Sequence, residues 1–274
     1  MRPTTSGTKL VCVLGHPVAH SVSPQLHSAA FAALDVDARY LAFDVAPAAL
    51  DVAVAGLSAL GFLGANVTVP HKEAVVALAD ELSPEAKLVG AANTLYWAGG
   101  RLVGHNTDAS GLLMVLRDQI GLEAGEVAVV YGAGGVARAA AVALGRYGAR
   151  VRIEARRPEA AAVLQRLAEA CGALPADTAR ARLAVNATSL GLHGERLPGS
   201  WADVGADQVA LDLVYGAVAT PFVADARAAG ARALDGLDLL VAQAADSFTC
   251  WTGVSAPVEV MRAAALSALG RSPA

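Results

Sequence analysis

Residues 127–139 read Val-Ala-Val-Val-Tyr-Gly132-Ala133-Gly134-Gly135-Val136-Ala137-Arg-Ala. A β-branched run, a glycine-rich turn and an alanine-rich run follow one another without a spacer. That order describes a strand that turns sharply into a helix lying back on the same sheet. The first glycine permits the turn, the second lets the backbone approach a bulky anion, and the small Ala137 lets helix and strand pack closely. The helix start then offers free N–H groups and a partial positive charge. Glycine turns also serve packing alone, but in this strand–turn–helix order the segment predicts a dinucleotide pyrophosphate site.

The following strand and its exit, 151–158, bear on which dinucleotide is bound: Val-Arg-Ile-Glu154-Ala155-Arg156-Arg157-Pro. An acidic residue about 20 positions after the turn suits the ribose hydroxyls of NAD, whereas arginine there suits the extra phosphate of NADP. Glu154 and the Arg156–Arg157 pair point in opposite directions. Two adjacent guanidiniums make a forked phosphate clamp, so the expected cofactor is NADP rather than NAD.

Short β-branched runs alternate with helical runs elsewhere too. Strands are expected at 10–14, 40–45 and 64–69, with helices at 23–34 and 50–60 between them. The second cycle adds a helix through 136–147 and later strands at 183–186 and 209–214. This is a βαβ order with mostly parallel strands in two α/β domains. The expected division is a substrate-binding and catalytic domain at 1–108, completed by C-terminal helices within 237–274, and a Rossmann-type dinucleotide domain at 109–236. Apolar residues make up 55% of the 274 and charged residues 17%, a composition that buries a core rather than remaining disordered. A net charge of −4 argues against a nucleic-acid surface. The longest stretch without an ionisable side chain, 52–70, contains three glycines and a proline and reads as helix then strand, not a membrane span. No signal-peptide pattern opens the chain. Cys12, Cys171 and Cys250 are odd in number, far apart and in apolar contexts. They read as thiols in a reducing compartment, and with no Cys-x-x-Cys or His-Glu-x-x-His pattern no metal site is expected. These features predict a soluble cytoplasmic protein.

Three segments of the first domain carry polar groups that a plain connection would not need. In Gly15-His-Pro-Val-Ala-His-Ser21-Val-Ser23-Pro24, two hydroxyls beside a helix start could meet one carboxylate; alternatively Ser23 caps the helix. In Asn66-Val-Thr68-Val-Pro70-His-Lys72, alternation puts Asn66 and Thr68 on one face, and Pro70 sends Lys72 into the loop at the strand's carboxyl end. The third segment, 90–94 followed by 104–108, adds Asn93 and Asp108. Lys72 is one of three lysines against 18 arginines. Arginine cannot deprotonate at a useful pH, whereas a lysine can exchange a proton.

In sequence order, these segments resemble the shikimate dehydrogenase family: G-x-P-x-x-H-S-x-S-P from Gly15, N-V-T-x-P-x-K from Asn66, G-A-x-N-T from Gly90, N-T-D ending at Asp108, G-A-G-G from Gly132, N-A-T-S-x-G from Asn186, D-x-V-Y ending at Tyr215 and L-V-x-Q-A-A around Gln243. The series spans nearly the whole chain. It implies NADPH-dependent reduction of 3-dehydroshikimate to shikimate, a step of aromatic amino-acid biosynthesis, by a monomer or homodimer. Carried over, Ser21 and Ser23 hold the substrate carboxylate; Asn66, Thr68, Asn93, Asp108 and Gln243 surround the ring hydroxyls. Lys72 and Asp108 form the catalytic pair, and Tyr215 approaches substrate from the second domain. The 132–137 turn, Arg156 and Arg157 bind cofactor, with Asn186, Thr188, Ser189, Leu213 and Gly236 on the cofactor side. The family also implies that the helix bearing Gln243 returns to the first domain.

The chain departs from the family pattern at Ala155, Arg157, Ala217, Asp238 and Leu239, all on the cofactor side. The resemblance also implies that Ser23 favours shikimate over quinate. A quinate/shikimate or aminoshikimate-type dehydrogenase is the enzymatic alternative, and a dinucleotide-binding sensor that has lost catalysis is the non-enzymatic one. A sensor would be free to lose Lys72 or Asp108, and both are present.

Overall fold

A computed structural model describes residues 3–176, 180–199 and 204–272. The chain divides into two compact units, one comprising residues 1–107 and 241–274 and the other 108–240.

The first unit opens with strand β1 (Lys9–Gly15), helix α1 (Ser23–Ala33), strand β2 (Ala38–Asp44), helix α2 (Leu50–Ala59) and strand β3 (Gly64–Val67). The short strand β4 (Glu81–Leu82), helix α3 (Pro84–Val89) and strands β5 (Thr94–Ala98) and β6 (Arg101–His105) complete its sheet, in the order β2-β1-β3-β5-β6-β4. β1 runs parallel to β2 and to β3, while β5 runs antiparallel to β3 and β6. Successive parallel crossovers send α1 and α2 to opposite faces, as the right-handed rule requires. On the α2 face, Leu50, Val54 and Leu57 pack with Cys12, Leu14, Ala65 and Val67 in one apolar cluster.

The second unit contains helix α4 (Asp108–Met114), strand β7 (Val127–Tyr131), helix α5 (Gly135–Tyr147), strand β8 (Arg150–Glu154), helix α6 (Pro158–Ala170), strands β9 (Leu174–Pro175), β10 (Leu183–Asn186) and β11 (Val209–Asp212), helix α7 (Pro221–Ala228) and strand β12 (Arg232–Leu234). Its sheet has the order β12-β11-β10-β7-β8-β9 and every pairing is parallel. From β7 the chain moves outward to β8 and β9, then returns to the other side of β7 through β10. That is the doubly wound dinucleotide topology, with its switch point between β7 and β10. The strands are buried on both faces, against Leu144, Leu164 and Ala140 on one side and Leu197, Phe222 and Ala226 on the other. Such strands read as continuous apolar runs, which is why 127–131 contains no alternation.

Helix α8 (Leu237–Thr252) begins in the second unit and runs on into the first, where helix α9 (Val258–Ala268) follows. No helix among the described residues is long and apolar enough to cross a membrane.

Candidate active site

In the first unit the carboxyl ends of β1 and β3 lie side by side. The Thr68 amide donates to the Leu14 carbonyl at 2.9 Å, and the His16 amide donates to the Val69 carbonyl at 2.9 Å. A Cβ on Gly15 would overlap the Thr68 methyl, so the glycine lets the two segments touch. The start of the loop that carries Ser21 and Ser23 is thereby held against Thr68 and Val69. Ser23 does not cap α1. Val22 occupies the cap position without a side-chain bond, and Ser21 Oγ accepts the Ser23 amide at 3.3 Å. Capping thus does not account for the Ser23 hydroxyl, because Ser23 is already inside the helix, while Ser21 meets the first helical amide.

β3 ends at Val67, so Thr68 and Val69 leave the ladder earlier than the 64–69 expectation. The backbone then turns back: the His71 amide donates to the Thr68 carbonyl at 2.8 Å. The buried His71 ring places a nitrogen 2.7 Å from the Val45 carbonyl. Lys72 is fixed from the other side, its carbonyl accepting the Ala92 amide at 2.8 Å. The residue is half-buried at the strand's carboxyl end, the customary ligand position of α/β sheets.

Asn93 and Gln243, 150 residues apart, meet through Asn93 Nδ2 and Gln243 Oε1 at 3.2 Å. Asn93 Nδ2 also donates to Thr107 Oγ1 at 3.0 Å, and its Oδ1 accepts the Thr107 amide at 2.8 Å. Asn66 is used differently from its neighbours. Its Oδ1 accepts the Tyr40 hydroxyl at 2.7 Å, and its Nδ2 reaches the Asn93 carbonyl, Thr94 Oγ1 and Ser247 Oγ at 3.1, 3.3 and 3.0 Å. An amide engaged on both ends holds the sheet ends together and has little capacity left for a ligand. Tyr40 and Ser247 belong to this network although no motif marks them. Neither lies in a segment whose pattern speaks of chemistry, and only the return of α8 brings Ser247 to β3 and β5.

In the second unit, Asp108 is the buried first residue of α4. The 132–137 turn sits at the switch point. Gly132 has φ +122°, and a Cβ there would lie 2.7 Å from the Ala187 carbonyl oxygen. Its amide donates to the Glu154 carbonyl at 2.8 Å. Gly134 caps α5 without a side-chain bond, and a Cβ there would meet nothing within 4 Å. Protein packing therefore does not require this glycine, and the open space with uncapped amides behind it fits a dinucleotide pyrophosphate. Ala133, Gly135, Val136 and Ala137 complete this strand-to-helix turn.

Glu154 is paired along its own strand with Arg152, Nε to Oε1 at 2.9 Å. Arg156 and Arg157 are exposed, and their guanidiniums make no ion pair or hydrogen bond among the described residues. Of the two kinds of group that compete in the sequence, the carboxylate is thus engaged within its strand and the guanidiniums face solvent. Asn186 is committed internally: Nδ2 donates to the Leu190 carbonyl and Asp212 Oδ1 at 3.1 and 2.9 Å, while Oδ1 accepts both the Thr188 amide and hydroxyl. Thr188 is half-buried and Ser189 exposed on the turn that Asn186 organises; Leu213 and Tyr215 are half-buried after β11, and Gly236 is buried.

A doubly wound parallel sheet with an open glycine turn, joined to a second α/β unit whose strand ends gather hydroxyl, amide and ammonium groups, defines a dinucleotide-dependent protein acting on a small polar molecule. Residues 13–95 match the shikimate dehydrogenase substrate binding domain, and residues 236–266 match the shikimate 5'-dehydrogenase C-terminal domain. The chain is 48% identical to a shikimate dehydrogenase (NADP(+)) of Anaeromyxobacter sp. (strain Fw109-5), covering 98% of this chain and 99% of that one. A solved shikimate dehydrogenase in complex with NADP+ superposes with a TM-score of 0.90 at 34% identity, over 97% of this chain and 98% of that one. The Thermus thermophilus shikimate 5-dehydrogenase, in complex with NADP(H) and shikimate, gives 0.85 at 39% identity, over 96% and 100%. The chain belongs to the shikimate dehydrogenase family.

Proposed function

We propose that this protein is an NADP-dependent oxidoreductase that reversibly reduces 3-dehydroshikimate to shikimate. The observation that carries the reading is the meeting of Asn93 and Gln243 at 3.2 Å. It joins the start of β5 to α8 and makes one polar surface of segments far apart in the chain.

On this reading Ser21 and Ser23 take the substrate carboxylate as a pair of hydroxyl donors. Thr68, Asn93 and Gln243 meet the ring hydroxyls, and Asn66 acts from behind by holding the Asn93 backbone. The 132–137 turn and the start of α5 hold the pyrophosphate, Arg156 and Arg157 hold the additional phosphate, and Thr188, Ser189, Leu213 and Gly236 flank the remainder of the cofactor. When bound, the cofactor supplies the hydride. Lys72 stabilises the oxygen on which negative charge develops and gives it a proton; in the oxidising direction it takes that proton back. Asp108 is its carboxylate partner in catalysis. Tyr215 orients substrate.

Specificity ratios, kcat/KM, for shikimate and quinate with NADP and NAD test the reading. Shikimate with NADP is expected to exceed the other three combinations. A quinate preference would make the protein a quinate-type enzyme. NADP binding without turnover on shikimate, quinate or aminoshikimate would make it a sensor.

A further inference from the structure

One buried carboxylate of the second unit has no part in the roles above. Asp212 ends β11 with 0% exposure, and among the described residues no cation pairs with it. Its Oδ1 accepts Asn186 Nδ2 and the Val214 amide, each at 2.9 Å, and its Oδ2 accepts the Thr220 hydroxyl at 2.5 Å. Burial pushes its carboxyl up to about 6, against the pull of these three donors and with nearby Asp235 adding to the rise. A buried carboxylate without a cation is costly to keep, so its particular geometry needs a reason.

The donors belong to two different turns. On one side Asn186 closes the 186–191 turn, and Thr188 Oγ1 accepts the Leu190 amide at 3.0 Å within it. On the other side Val214 fixes the 212–220 turn, which carries Leu213 and Tyr215, while Thr220 caps α7 by accepting the Val223 amide at 3.3 Å. The two turns also touch directly: a Cβ on Gly191 would lie 3.1 Å from Thr220 Cβ. The contacts continue outward in both directions. Gly132 packs on the Ala187 carbonyl, and a Cβ on Gly236 would overlap the Leu213 carbonyl oxygen. A continuous series therefore runs from the glycine-rich turn at the switch point to Gly236, with Asp212 near its middle.

We propose that Asp212 is a positioning residue for cofactor binding, its carboxylate setting the spacing between the 186–191 and 212–220 turns. Thr188 and Ser189 on one turn and Leu213 on the other then meet a single dinucleotide in register. The inference rests on the reading of the second unit as the NADP unit.

The test measures NADP dissociation by calorimetry on the full chain, without substrate, beside a thermal melt. Asp212→Ala frees both turns, and the Kd for NADP is expected to rise about tenfold, in the range that small misplacements of binding groups produce. Asp212→Asn keeps the acceptor for Asn186 and Val214 and turns an amide toward Thr220, which can accept it. It should bring the Kd back to within about threefold of the wild type. Should Asp212→Ala fail to melt cooperatively, Thr220→Val and Thr220→Ser replace it. The valine should weaken NADP binding about threefold and the serine restore it. A lowered melting temperature with NADP binding within about twofold of the wild type, in whichever pair is used, would make Asp212 a fold residue only and overturn the proposal. A wild-type chain that binds no NADP would instead sink the reading of the second unit, whatever the variants do.

Discussion

Gly132 and Gly134 lie two residues apart and answer to different constraints. Gly132 combines a left-handed φ of +122° with a carbonyl oxygen 2.7 Å from where a Cβ would sit. Gly132→Ala therefore carries about 1–3 kcal/mol of backbone strain before the overlap is counted. Its melting temperature should fall by several degrees. Gly134 has an ordinary φ of −87° and open space around it. Gly134→Ala should melt like the wild type yet bind NADP about tenfold more weakly, because the methyl occupies the phosphate's approach. Equal melting temperatures for the two variants would refute the distinction. Lys72 poses a chemical rather than a steric question. Lys72→Arg keeps a permanent charge at the end of β3 but cannot exchange a proton. Its kcat should fall about 10²-fold or more, with the KM for shikimate changing much less; a variant turning over at the wild-type rate would remove Lys72 from proton transfer.

At the scale of elements, much of the fold is legible from period and punctuation. The strand–turn–helix at 127–147 stands where its sequence puts it, because apolar runs and glycines act locally there. The β5–β6 hairpin is absent from the expected strands, although its signal is present: Gly99 and Gly100 have φ +57° and +79°, the two-residue turn that matches the twist of paired strands. Asn93 and Asp108 flank those strands, and the chemistry of these two residues masks the hairpin between them. The Asn66 network is hidden for a different reason. It depends on α8 crossing into the first unit, and no local spacing records that Ser247 will stand 3.0 Å from Asn66 Nδ2 and 2.7 Å from Thr94 Oγ1. Ser247 lies one turn beyond Gln243 on that helix, so it fixes the helix against the sheet where Gln243 meets Asn93. Ser247→Ala leaves these buried groups short of a partner, and should lower stability by about 1–3 kcal/mol. If the helix is held in register here, the variant's KM for shikimate should rise while its Kd for NADP stays unchanged. Equal changes in both would point to general loosening.

Across the whole molecule, two buried groups couple folding to pH with opposite signs. His27 in the first unit is fully buried, stacked on Tyr40 at 4.5 Å and 10° and tilted against Trp251 at 5.1 Å. Among the described residues, neither ring nitrogen has a partner in hydrogen-bond geometry. Burial holds its imidazole down to about 3 from an ordinary 6.5, against a smaller opposing pull from the Asn66 side chain. The unfolded chain therefore takes a proton below 6.5 that the folded chain refuses. This contribution to stability is present above 6.5 and lost as the pH falls toward 3. Asp212 in the second unit behaves in reverse, raised to about 6 from 3.8. The folded chain binds its proton first, so this contribution is present below 3.8 and lost as the pH rises through 6. Between about 4 and 6 the two slopes oppose each other when the whole chain unfolds together. Replacing one group at a time exposes the other. His27→Phe keeps a ring among Tyr40 and Trp251 and removes the acid penalty, so on going from about pH 8 to pH 5 it should gain about 2 kcal/mol relative to the wild type. Asp212→Asn removes the opposing contribution and should lose about 1 kcal/mol over the same interval. Denaturant melts at the two ends of that interval measure both differences. Parallel pH dependence in His27→Phe and the wild type would mean that the imidazole takes its proton inside the fold, and that its burial against Tyr40 and Trp251 does not hold it neutral.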